Sequence, residues 1–118
     1  MERITKKAFI DLLKNNKSVF IGAINNKHED LHEFIENAVK TIEIRESDER
    51  RTIKKIQTNA VQFSNDSWLY FDGEGEKTYH KIGNFIYQHT KIDYSKDSSC
   101  SWNDIMYSAV VYYVELSK

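Results

Sequence analysis

The sequence predicts an α+β fold: an antiparallel meander sheet of about five strands covered by two or three helices. Three observations carry that expectation. Residues 51–90 break into short runs rich in β-branched and aromatic residues, separated by turn residues. Residues 29–42 place apolar side chains at helical spacing. The chain has 118 residues and one cysteine, which suits a single domain, 1–118, with a modest core and no intrachain disulfide.

The elements follow in order. Thr5 caps a first helix, with Ile4 and Phe9 at the spacing of a hydrophobic staple and Phe9, Leu12 and Leu13 as its apolar stripe. Asn15 and Asn16 stop it. Residues 18–24, SVFIGAI, are apolar on both alternating faces and read as a central strand buried on both sides, with Gly22 marking a bulge or a close backbone approach. Asn25, Asn26 and Lys27 make a turn into a second helix, Glu29 to Ile42. There Leu31, Phe34, Ile35, Ala38, Val39 and Ile42 form one stripe, and Glu29, Asp30 and Glu33 stand near the positive end of the helix dipole. Residues 43–51 are almost wholly charged, as suits an exposed edge strand or a connector.

The meander comes next. Its strands are expected at Thr52–Gln57, Asn59–Phe63, Trp68–Phe71, Thr78–Ile82 and Phe85–Gln88, with turns at Ser64–Ser67, Asp72–Gly75 and Gly83–Asn84. Gly73 and Gly75 lack the Lys-Ser/Thr and the following helix of a phosphate-cradling loop. Lys91 to Ser99 reads as a loop. For residues 104–116 a helix beginning at Ser101-Trp102-Asn103-Asp104 is favoured, with the β-branched and aromatic AVVYYV run supporting a strand as the alternative. The helices are expected mainly on one face of the sheet.

Charge is unevenly spread. The formal net charge is −1, which argues against a strongly basic nucleic-acid binder. Met1 to Lys27 holds six Lys/Arg and two acids, and His28 to Arg50 holds three Lys/Arg and eight acids. The N-terminus has no signal-peptide h-region, and no apolar run is long enough to span a bilayer. A cytoplasmic protein with no membrane association is expected.

His28-Glu29-Asp30-Leu31-His32 fits H-E-x-x-H and over those five residues is similar to zinc-dependent metalloproteases. The resemblance implies zinc held by His28 and His32, with Glu29 as general base and a third ligand from Glu43, Glu46 or Glu49. The physical reading weighs against it. The motif sits at the polar start of its helix, and His32 lies nearly perpendicular to the apolar stripe. Two surface histidines are expected, with no cofactor. Cys100 beside His80 or His89 is a nucleophile pairing with no family signature.

The function expected is that of a small non-enzymatic binding protein. Its contact residues are the acids Glu29, Asp30, Glu33, Glu36, Glu43 and Glu46 and the aromatics Trp68, Tyr70 and Tyr79. In size, proline-free Lys/Asn-rich composition, acidic helix and aromatic meander the chain resembles anti-CRISPR and other anti-defence proteins. That resemblance implies a phage or mobile-element product that blocks a host protein. Two alternatives stand beside it. One is a module for single-stranded nucleic acid or a nucleotide-like ligand, using Arg51, Lys54, Lys55, Trp68, Tyr70, Tyr79 and Lys81. The other is the zinc hydrolase. A homodimer is also open.

Overall fold

In the computed structural model, residues 2–27, 29, 31–38, 52–71, 73, 75–94 and 105–116 are described. They form eight strands in two antiparallel sheets, with two helices. The order is β1 (Glu2–Ile4), α1 (Lys6–Asn15), β2 (Lys17–Lys27), α2 (His32–Ala38), β3 (Ile53–Ile56), β4 (Ala60–Phe63), β5 (Trp68–Tyr70), β6 (Glu76–Ile82), β7 (Phe85–Asp93) and β8 (Ile105–Glu115).

The expected single meander divides in two. Strands β3, β4 and β5 make a small sheet, whereas β6 and β7 join a larger one ordered β1-β6-β7-β8-β2. The division falls at residues 72–75, where the glycines Gly73 and Gly75 both take positive φ. Turn chemistry marks where strands end, but it does not say whether the next strand returns to its predecessor.

Residues 105–115 are a strand, not the favoured helix. The reason lies in the position of β8. It pairs with β7 along one edge and β2 along the other, and both of its faces are covered. Tyr112 and Val114 enter one core, Ala109 and Val111 the other. A strand buried on both faces loses its polar alternation and leaves a continuous apolar run, which a helix also shows.

The same ambiguity explains β2. Its faces are apolar, but it is the end strand of the large sheet, not a central one. Beyond it lies an isolated bridge, Val19 to Thr52. A register shift between Phe20 and Gly22 gives the expected bulge. The strand also runs through Asn25–Lys27, where a turn was expected, and β7 continues to Asp93, past the expected end of its strand. The last strand not foreseen is β1, which places Ile4 opposite Tyr79.

The two helices lie on opposite faces of the large sheet, against the expectation of one face. Alternation along β8 shows this directly. On one side Phe9, Ile10 and Leu13 of α1 and Val61 and Phe63 of the small sheet pack with Tyr79, Ile86, Tyr112 and Val114. On the other, Leu31 and Ile35 of the α2 segment pack with Tyr87, Ala109 and Val111. Phe9 is the hub of the first core, its ring centroid 4.9 Å from Tyr79, 5.7 Å from Phe71 and 5.8 Å from Tyr112. Thr5 caps α1 as expected, accepting from Ala8 N at 3.1 Å. Of the second helix, His32–Ala38 is described; residues 39–51, including the charged connector, lie outside the described residues.

Candidate functional site

Three places gather side chains with chemical potential, and each is built by a simple feature of the fold. The first is the outer face of the small sheet. Strand alternation turns Val61, Phe63 and Leu69 inward to the core, leaving Gln62, Trp68 and Tyr70 on the other face. Trp68 stands opposite Gln62, and Gln62 opposite Lys55. Trp68 is 39 % exposed and Tyr70 65 %. Tyr79, expected with them, is instead buried against Phe9. The layer above decides between core and surface: α1 packs on Tyr79 of β6, whereas no described residue is packed over the outer face of β5.

The second place is a cluster of imidazoles between α2 and the large sheet. The Gly83-Asn84 hairpin sets the register that pairs His80 with Tyr87 and Thr78 with His89. Those four side chains therefore share one face of the sheet. His32, the first residue of α2, lies over them. Its ring stacks on His89 with centroids 4.1 Å apart and meets His80 edge-on at 4.4 Å. His32 Nδ1 shares a 2.7 Å hydrogen bond with the Tyr87 hydroxyl, and His80 Nε2 lies 2.8 Å from Thr78 Oγ1. His80 and His89 are buried, at 7 % and 4 % exposure. His32 stacks on His89, whereas His80 stands edge-on to both rings. Among the described residues no group of His, Cys, Asp or Glu side chains is arranged to hold a metal ion. His28, the other histidine of the H-E-x-x-H motif, lies outside the described residues, as do Arg51 and Cys100. His32 itself is half-buried against the sheet, not the surface residue expected.

The third place is a cleft of about 330 Å³ between the end of α1, the start of β2 and β3. Lys14, Lys17, Lys54 and Lys55 line it, with no acidic side chain among its lining residues. Lys54 pairs with Asp66 at 2.6 Å. Sequence reasoning named Lys54 and Lys55 but missed Lys14 and Lys17, because nothing local says that the end of α1 returns beside β3.

The acidic residues fall elsewhere. Glu29, Glu33 and Glu36 are exposed on the α2 side of the large sheet, beside a 55 % exposed Phe34. The acids and the aromatic pair thus stand on elements packed against opposite faces. Asp30, Glu43 and Glu46 lie outside the described residues. No helix among the described residues is long and apolar enough to cross a membrane.

Comparisons with protein-family models, curated proteins and solved structures found no match.

Proposed function

We propose that this chain is a non-enzymatic binding protein that holds a protein partner against the outer face of the small sheet. The observation that carries the reading is the pair Trp68 and Tyr70, side by side on an end strand and open to solvent. Large aromatics cost little entropy to fix and combine apolar area with a polar tip, so they recur as interface anchors. Among the described residues strand β5 pairs with β4 alone, so an extended segment of a partner can add to its other edge by main-chain hydrogen bonds. The partner class we infer is a host protein that is blocked, not turned over, as with anti-defence proteins of phages and mobile elements.

A second surface has its own support. Phe34 is exposed between Glu33 and Glu36, a pattern that suits a basic partner. Because the two surfaces face apart, they can be separated by mutation. Tagged protein is used to capture partners from a Gram-positive host lysate, with mass spectrometry of what is retained. Trp68→Ala/Tyr70→Ala should abolish capture and leave Tm within a few degrees of the parent. Glu33→Lys/Glu36→Lys should leave it intact. The reverse pattern would move the contact surface to α2, and capture that survives both pairs would sink the proposal.

A further inference from the structure

We infer that the lysine cleft beside the end of α1 is a binding site for a phosphate-bearing anion. The inference does not rest on the aromatic face. It rests on what the cleft contains and on what its lysines are not needed for.

Four lysines line one concave surface drawn from three elements: Lys14 on α1, Lys17 on β2, and Lys54 and Lys55 on β3, where Lys55 also borders the outer face of the small sheet. Lys54 is neutralised by Asp66. Lys14, Lys17 and Lys55 have no acidic partner among the described residues. Like charges held close repel, and a compact set of them is stabilised by an anion that bridges them. The cleft volume is within the range of small-ligand sites.

The ordinary task of lysines at a helix C-terminus is to satisfy the last carbonyls. Here other groups perform it. Asn16 Nδ2 donates to Leu12 O at 2.9 Å, and Ser18 Oγ reaches Leu13 O at 3.2 Å and Asn16 O at 3.3 Å. The lysine heads are not needed for those carbonyls, and those of Lys14, Lys17 and Lys55 meet no acid among the described residues. The helix end contributes a negative partial charge of about one half, which opposes an anion. Three ammoniums without an acidic partner among the described residues outweigh it. Phosphate is favoured over a lone carboxylate because its several oxygens let separate point charges share one ligand. The ligand chemistry is that of a phosphodiester backbone or a free polyphosphate.

The test titrates the whole protein with two probes at low salt, a fluorescent oligothymidylate and inorganic tripolyphosphate. Both arms compare the parent with Lys14→Gln/Lys17→Gln/Lys55→Gln and with Lys6→Gln/Lys7→Gln, whose lysines lie on α1 away from the cleft lining. The cleft variant should bind about tenfold more weakly or worse. Its slope of log K against log salt for the oligonucleotide should be shallower by about one per lysine removed. The Lys6/Lys7 variant should bind as the parent does. Preference for the oligonucleotide identifies a nucleic-acid backbone, and equal or tighter tripolyphosphate binding identifies a free phosphate ligand. Either supports the site. No binding by the folded parent overturns it. So does equal weakening in both variants, which would mean general charge attraction. Loss of capture in the Trp68/Tyr70 experiment leaves this result untouched, so the two proposals fail separately.

Discussion

Tyr112 carries a buried hydroxyl with no hydrogen-bond partner among the described residues. Its ring lies between Phe9 and Phe20, each with its centroid 5.8 Å away, and these neighbours offer nothing to accept or donate. An unsatisfied buried polar group costs about 1–3 kcal/mol. Tyr112→Phe keeps the ring and removes that cost, so it should stabilise the fold by about 1 kcal/mol in urea denaturation. The same burial pushes the phenol pKa up from its ordinary value near 10. The unfolded chain therefore releases this proton first. The phenol's contribution is fully present below about pH 10 and is lost as the pH rises towards the folded-state value. Stability measured across that alkaline window should fall more steeply in the parent than in Tyr112→Phe. Equal slopes would show that the hydroxyl reaches water in the folded protein and titrates there as it does in the unfolded chain.

At the scale of elements, two glycines separate conformational need from mere presence. Gly75 has φ +104°, and a Cβ there would stand 2.8 Å from Lys91 O and from Ile92 Cγ1. It lets the chain leave the small sheet and enter β6 hard against β7. Gly22 sits at the β2 bulge with nothing within 4 Å of an added Cβ. Gly75→Ala should cost more than about 1 kcal/mol, whereas Gly22→Ala should be neutral or stabilise by about 0.5 kcal/mol through the unfolded chain. Thermal melts of the two variants check the contrast. Strand starts, turns and the capped first helix were legible because local chemistry writes them: Thr5, Gly83 and the Asn65 side chain that accepts from Ser67 N at 3.2 Å. The place of each strand in its sheet was not, because β2 and β8 are apolar on both faces whether central or terminal. The candidate sites divide the same way. Trp68 and Tyr70 could be read as one face from their spacing. The approach of His80, Tyr87 and His89 was implicit in a two-residue hairpin at Gly83-Asn84, since that turn fixes the register. The arrival of His32 above them, and of Lys14 and Lys17 beside β3, depends on contacts between distant segments that no local pattern records.

For the whole molecule the question is whether the two sheets form one cooperative unit. The small sheet has one covered face, and that face is shared: Val61 and Phe63 lie in the same core as Phe9, Tyr79 and Tyr112. Phe63 meets Phe20 of β2 with ring centroids 5.3 Å apart. Gln88 on β7 donates a buried 2.9 Å hydrogen bond to Phe71 O, just past β5. Three short strands with an outer face of Lys55, Gln62, Trp68 and Tyr70 have no second layer of their own among the described residues. Detached, the small sheet would expose its only apolar face and could not persist. The binding surface is therefore only as stable as the core beneath it. Phe9→Ala, which removes the aromatic hub, should cost about 3–5 kcal/mol, a large share of the stability of a small domain. In a Trp102→Phe background, Trp68 fluorescence reports the small sheet and far-UV circular dichroism the whole chain. In urea the two transitions should coincide in the parent and shift together in Phe9→Ala. A fluorescence transition that precedes the loss of secondary structure would show instead that the small sheet opens by itself, with Trp68 and Tyr70 on a separately mobile layer.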